Sequence, residues 1–261
     1  MNVFIALLLG LVQGLCEFLP ISSSGHLVLL HNVFGIEEGA LFFSIMLHIG
    51  TLLAVFAVYR EQIWALIKKP LQKKTGMLLA ALVPTVILAV MFRDFFESSY
   101  SGKYLGAGFV LTACLLLLLQ RLSSGKKTLK TMALQDALLI GLFQGVAILP
   151  GVSRSGATIA GGAIMGLEKN EAAEFSFLLS IPAILGSVVF ELPELAEGGL
   201  KQVDLLYVLI GMAAAAASGY FAIRFMLRII KHKKLWPFSV YLSVLGMLVL
   251  LDQLWFHIFF A

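Results

Sequence analysis

Six stretches of roughly twenty apolar residues, near 40–59, 75–92, 104–120, 172–190, 204–223 and 236–256, leave this chain few folds to choose from. A helical run of about 20 apolar residues crosses the hydrocarbon of a bilayer, about 30 Å thick. Water is absent there, so each segment must satisfy its own backbone hydrogen bonds, which a helix does and an open strand cannot. The composition agrees: of 261 residues 60% are apolar and 13% charged, with a mean hydropathy of +0.96, against about 45–50% and about 25% in soluble domains. The expected fold class is an all-α polytopic membrane protein, and a soluble globular enzyme is excluded. The opening MNVFIALLLG has neither a basic n-region nor a small-residue cleavage site, so it reads as part of the mature chain rather than a signal peptide.

Charge sets the expected topology. The formal net charge is +4, and fourteen of the nineteen basic residues fall in three connectors: Arg60, Lys68, Lys69, Lys73 and Lys74; Arg121, Lys126, Lys127 and Lys130; and Arg224, Arg228, Lys231, Lys233 and Lys234. They form no basic patch interleaved with aromatics, so nucleic acid is not an expected partner. The positive-inside rule places all three connectors in the cytoplasm. The connectors 93–103 and 191–204, with net charges of 0 and −3, then lie outside. Helix 40–59 must run outside to inside and helix 172–190 inside to outside. Cys16 and Cys114 sit in apolar stretches without metal-like spacing and read as small buried hydrophobes.

The halves also repeat in sequence. G-L-x-Q-G at 10–14 recurs at 141–145, Leu-Pro at 19–20 recurs at 149–150, and Ser-Ser-Ser-Gly at 22–25 recurs as Ser-Arg-Ser-Gly at 153–156. F-S-x-x-L-x-I at 43–49 recurs at 175–181, and Leu53 is answered by Leu185, all at an offset within a residue of 131. We read a duplication with inverted topology, a device by which membrane proteins place a site near the bilayer midplane. The first repeat is 1–130, with a re-entrant hairpin at 1–34 and helices 40–59, 75–92 and 104–120. The second is 131–261, with a hairpin at 133–166 and helices 172–190, 204–223 and 236–256.

Each hairpin consists of a short apolar helix, a Pro-Ser-Gly break and another short helix, 26–34 in one and 157–166 in the other, and no arm is long enough to span. Irregular backbone at membrane depth is tolerated only inside protein or along a cavity, so the two tips are expected to meet. Ser22, Ser23 and Ser24 precede one helix, and Ser153 and Ser155 the other, presenting two serine-capped helix N-termini, ready cradles for phosphate. Gly25 and Gly156 allow close backbone approach. Plain N-capping would explain one such turn. Arg154 argues for more, because an arginine in a membrane interior marks function and its fork suits bidentate phosphate binding.

The repeats differ where chemistry would need them to. The first carries Glu17 and His26 where the second has Ala147 or Ile148 and Ala157, and the second carries Arg154 where the first has Ser23. One hairpin is equipped for acid–base or nucleophilic work and the other for charge neutralisation. His26 gains weight from Glu17 on the same hairpin, folded back at Pro20; His31, His232 and His257 lack such company, and His48 could face the site from the repeated 43–49 segment.

Here the chain resembles a known family. Gln13-Gly14-Leu15-Cys16-Glu17-Phe18-Leu19-Pro20-Ile21-Ser22-Ser23-Ser24-Gly25-His26, with the distant Pro150-Gly151-Val152-Ser153-Arg154-Ser155-Gly156-Ala157-Thr158 and the A-A-E-F-S-F-L-L segment at 172–179, is similar to the undecaprenyl-pyrophosphate phosphatases of the bacitracin-resistance type. The resemblance covers essentially the whole chain. It implies hydrolysis of a C55 polyprenyl pyrophosphate lipid to the monophosphate and inorganic phosphate in the bacterial plasma membrane, at a site reached from the extracytoplasmic side. It also implies a divalent cation, Mg²⁺ or Ca²⁺. Some members carry Glu at the first motif position where this chain has Gln13, so Glu17 alone is the expected acidic metal ligand. The expected catalytic residues are Glu17, Ser23, His26 and Arg154, with Gln13, Ser22, Ser24, Gly25, Ser153, Ser155, Gly156 and Thr158 binding substrate. Membrane lipids surround the protein, and a homodimer is compatible with the sequence.

Two rival readings fit parts of the pattern. A polyprenyl-phosphate flippase or anion transporter shares the inverted repeats, but does not need His26 and Glu17 beside the anion. The type-2 phosphatidic acid phosphatases need a His-x-x-x-Asp after their arginine motif, which nothing after Arg154 supplies. For the attacking group the sequence leaves Ser23, His26 and a metal-bound water open, and leans to a His26-dependent step because His26 opens the helix expected to cradle phosphate.

Overall fold

The computed structural model describes residues 2–36, 39–197, 204–231 and 235–260, with 190–197 described by their backbone alone. Among them the chain is a succession of helices: α1 (Val3–Phe18), α2 (Ser23–Phe34), α3 (Ala40–Val58), α4 (Arg60–Lys68), α5 (Lys73–Met91), α6 (Arg93–Ser99), α7 (Leu105–Arg121), α8 (Leu134–Val146), α9 (Arg154–Ile164), α10 (Lys169–Glu197), α11 (Leu205–Lys231) and α12 (Trp236–Leu251), the last extended by a π-helical turn at Asp252–Phe256. All six expected spans form helices, as α3, α5, α7, α10, α11 and α12. Five are long and apolar enough to cross a membrane, while α7 is shorter, at 17 residues. The protein is an all-α polytopic membrane protein. The short helices α4 and α6 were not anticipated. Helix α4 is amphipathic, burying Ile63 while Trp64 and Ile67 stay exposed.

Connectors pool at two ends. At one, Lys73 Nζ donates to the Lys130 carbonyl (2.8 Å), Lys74 pairs with Glu174 (2.5 Å), Lys127 pairs with Asp136 (3.0 Å), and the Leu235 N–H donates to Gln120 Oε1 (3.1 Å). The basic connectors 60–74 and 121–130 therefore share an end with the start of α12; His232, Lys233 and Lys234 lie outside the described residues. At the other end Gln253 Nε2 donates to the Gly102 carbonyl, and Phe260 covers Gly102. Of the connector at 191–204, residues 198–203 lie outside the described residues.

The expected hairpins are α1–α2 and α8–α9, and each leans on the opposite half of the chain. Gly10 of α1 lies against Gly211 and Ala214 of α11, and Gly14 against Ala215, Ser218 and Gly219, so the two helices run in the same direction. In the same way Gly141 of α8 faces Ala81 and Pro84 of α5, and Gly145 faces Leu88. Because α11 ends and α5 begins at the basic end, the two hairpins enter from opposite ends. The glycines of G-L-x-Q-G thus act as a small-residue seam that lets backbones approach closely, the arrangement favoured between helices in lipid. A Cβ at Gly14 would run into Ser218 Oγ and the Ala215 carbonyl, whereas one at Gly76 on α5 meets nothing within 4 Å. Gly14→Val is expected to cost about 1–3 kcal/mol through overpacking, read as a lowered Tm in detergent. Gly76→Ala should leave Tm unchanged or raise it slightly.

Candidate active site

The breaks between the arms form two tips. In the first, Leu19 to Ser22 carry the chain round. Ser22 adopts φ 68° and ψ 97°, its hydroxyl accepts from the Gly25 N–H (3.3 Å), and α2 starts at Ser23. In the second, Gly151 takes φ 90°, the Ser153 hydroxyl accepts from the Gly156 N–H (3.1 Å), and α9 starts at Arg154. Thr112 of α7 steadies this tip, accepting from the Ser153 N–H (2.9 Å) and donating to the Gly151 carbonyl (2.9 Å). The tips meet: Gly25 abuts Gly151, Gly156 lies against Pro20, and Ser155 Oγ donates to the Leu19 carbonyl (3.2 Å). Two helix N-termini, each with first-turn N–H groups that lack a helical acceptor, are thereby brought together inside the protein.

Glu17, at the end of α1 and 7% exposed, joins them. Its Oε1 accepts from Arg154 Nη2 at 2.5 Å; its Oε2 accepts from Ser23 Oγ at 2.5 Å and from Gln13 Nε2 at 3.1 Å. The other arm of the Arg154 fork donates to the Ser176 carbonyl on α10 (3.1 Å). One carboxylate therefore holds the serine of one tip and the arginine of the other. His48 of α3 adds an imidazole edge, with Nε2 3.7 Å from Glu17 Oε2 and Nδ1 donating to the Ser44 carbonyl (2.8 Å).

Of the residues expected from sequence, Gln13, Glu17, Ser23 and Arg154 converge side chain to side chain. Ser22 and Ser153 are the two caps. Ser24 lies beside Ser22 (3.4 Å) and Ser155 beside Ser153 (3.3 Å), and Gly25 and Gly156 are where the tips touch. Thr158 sits one turn into α9, buried, with its hydroxyl on the Arg154 carbonyl (2.8 Å) and against Ser176 Oγ (2.6 Å), so it backs the arginine. His26 makes no side-chain bond to Glu17. The left-handed turn at Ser22 gives Glu17 to Ser23 instead, while His26 Nδ1 reaches the Ser22 carbonyl and Nε2 the Tyr241 hydroxyl, both at 2.7 Å. Tyr241, Thr112 and the Ser176 carbonyl were missed. His48 had its place in a repeated segment as a signal; Tyr241 belongs to no motif at all.

Among the described residues no group of three or more His, Cys, Asp or Glu could hold a metal ion. One observation nevertheless suits a hard cation: Gln13 Oε1 is buried beside Glu17 without a hydrogen-bond partner. An amide oxygen and a carboxylate, completed by substrate phosphates and water, form a donor set that Mg²⁺ accepts. The hollow between α4 and α11 lined by Arg60, Gln62, Tyr220 and Arg224 contains none of these residues. The constellation has the parts for phosphoryl chemistry: a cationic fork, two converging helix N-termini, and a hydroxyl already hydrogen-bonded to a carboxylate.

Known proteins carry the same pattern over nearly the whole length. The profile of the family described as "Bacitracin resistance protein BacA" matches residues 6–248. A protein of Carboxydothermus hydrogenoformans named undecaprenyl-diphosphatase is 48% identical over 256 residues, which are 97% of this chain and 98% of that one. Proteins of the same name from Alkaliphilus metalliredigens and Halothermothrix orenii are 42% and 40% identical, covering 97% and 96% of this chain and 100% and 98% of their own.

Proposed function

The chain belongs to the bacitracin resistance protein BacA family, and from that membership and the site together we propose that it is an undecaprenyl-diphosphatase. It hydrolyses undecaprenyl pyrophosphate to undecaprenyl phosphate and inorganic phosphate as a multi-pass protein of the bacterial plasma membrane, with its site reached from the extracytoplasmic side. That reaction returns the lipid carrier to peptidoglycan synthesis and underlies bacitracin resistance. Residues 1–130 and 131–261 act as two inverted repeats, a reading supported by hairpins that enter from opposite ends and pack on equivalent helices, α11 and α5, of the other half. The observation that carries the function is the Glu17 carboxylate held between Ser23 Oγ and Arg154 Nη2.

The pyrophosphate is highly anionic, so it seats where the N-termini of α2 and α9 converge and draws on the Arg154 fork. As the fork turns from Glu17 to the phosphate, Glu17 loses its cationic partner and is freed to accept a proton. The Ser23 hydroxyl passes its proton to Glu17 Oε2, 2.5 Å away, and its oxygen attacks the terminal phosphorus. The bond from that phosphorus to the bridging oxygen breaks, and prenyl monophosphate leaves with the bridging oxygen. Glu17 gives its proton to the departing monophosphate, and the restored carboxylate takes a proton from water, whose oxygen attacks the phosphoserine; the bond from phosphorus to Ser23 Oγ breaks, the proton passes from Glu17 back to Oγ, and inorganic phosphate leaves. Both His26 nitrogens are already engaged, which moves the attacking role from the imidazole to Ser23. Gln13 Oε1 and Glu17 would hold a divalent cation, Mg²⁺ or Ca²⁺, which when bound supplies charge neutralisation at the pyrophosphate.

Purified full-length protein in detergent should release inorganic phosphate from undecaprenyl pyrophosphate, and a chelator should remove most of that release, with Mg²⁺ or Ca²⁺ restoring it. Lipid movement with no phosphate released would sink the enzymatic reading in favour of transport. Full activity in chelator would remove the cation from the scheme.

A further inference from the structure

His26 lies where the first hairpin meets α7 and α12. Its ring stacks on Tyr241, with centroids 5.8 Å apart and planes 16° apart, and Phe109 approaches it edge-on at 5.3 Å. The two ring nitrogens differ in their partners. Nδ1 faces the Ser22 carbonyl, which can only accept, so Nδ1 carries the proton. In the neutral ring Nε2 is then bare, and the Tyr241 hydroxyl is the donor to it. The Ser22 carbonyl thus selects the tautomer of His26, and a tyrosine 215 residues away in the chain satisfies the bare nitrogen.

The carbonyl at the far end of this chain of bonds belongs to Ser22, whose φ of 68° is one that an L-residue other than glycine holds only when its surroundings impose it. Rotating the peptide between Ser22 and Ser23 would withdraw that carbonyl from His26 and swing Ser23 Oγ away from Glu17. Tyr241 is 44% exposed on the outer side of α12, so one residue ties the wall of the molecule to the tip. We propose that Tyr241 is a positioning residue for the reaction: through His26 and the Ser22 carbonyl it holds the left-handed turn that presents Ser23 to Glu17. This inference rests on the reading of Ser23 as the attacking group. It makes His26 a strut rather than the base.

The test uses full-length protein in detergent with ¹⁵N-labelled histidine. In the wild type the His26 resonances should report a protonated Nδ1 and an unprotonated, hydrogen-bonded Nε2. Tyr241→Phe should keep its Tm, shift the Nε2 resonance, and lower kcat about tenfold with KM within about twofold. In a His26→Ala background the same substitution should have no further effect, since the two residues act as one unit. A protonated Nε2 in the wild type, an Nε2 resonance indifferent to Tyr241→Phe, or a kcat loss that recurs in full without His26 would each overturn the proposal. A wild type that releases no phosphate from undecaprenyl pyrophosphate would instead refute the phosphatase reading, and the resonances would still decide whether the bond chain exists.

Discussion

Arg154→Lys is expected to lower kcat/KM for undecaprenyl pyrophosphate about a hundredfold or more, equivalent to roughly 3 kcal/mol of transition-state stabilisation. The charge survives this substitution and only the fork is lost. In the structure one arm of the guanidinium is on Glu17 Oε1 and the other on the Ser176 carbonyl, so the group is held flat between the first tip and α10. An ammonium is a point charge on a flexible stem; it can take one of those places but cannot bridge two phosphate oxygens in a plane. Because Glu17 is buried, the lysine should still find it and the fold should survive, so the variant's Tm in detergent serves as the control. Near wild-type turnover would remove bidentate phosphate binding from the mechanism.

Ser23→Ala should be more severe still, with activity down about a thousandfold or more, since in the proposed mechanism it removes the nucleophile and not merely its setting. The decisive measurement is rapid quenching with substrate labelled in its terminal phosphate. Phosphoserine survives acid and is lost in alkali, and phosphohistidine does the reverse. An acid-stable label is expected in the wild type, absent in Ser23→Ala and Glu17→Gln, and formed more slowly but still present in His26→Ala. An alkali-stable label that depends on His26 would return the attack to the imidazole. If no variant carries a label, a water molecule attacks and Ser23 only binds.

Much of this site can be read from the sequence because the repeated phrases supply their own control. Where the two G-L-x-Q-G hairpins agree, the shared residues build backbone: Gly10 and Gly14 against α11, Gly141 and Gly145 against α5, Ser22 and Ser153 as caps. Where they differ, Glu17, Ser23 and Arg154 converge side chain to side chain, while His26 turns to Tyr241. The sequence could not say which side chain Glu17 would meet. Spacing along a helix is predictable, but a left-handed Ser22 redirects everything after it, and Glu17 therefore meets Ser23 rather than His26. Tyr241 was invisible for a different reason: nothing on α12 marks it until packing against α7 brings its hydroxyl to His26. The spans were legible from hydropathy alone. Helices α4 and α6 were not, because seven to nine mixed residues between spans show too little periodicity to distinguish a helix from a connector.

The seam between α1 and α11 also constrains how the protein is made. Helix α1 is synthesised well before the surface on which its glycines close, from Gly211 to Gly219, which follows about 200 residues later. At about 5–20 residues per second that interval is on the order of ten seconds or more. Throughout it the first hairpin, carrying Glu17 and three serines at its turn, lacks the α11 side of its packing and has α3, whose Phe43 and Leu47 share a core cluster with Ala6 and Leu9, as the neighbour made first. The seam, and with it the packing of the helix that carries Glu17, is therefore completed among the last events of biogenesis.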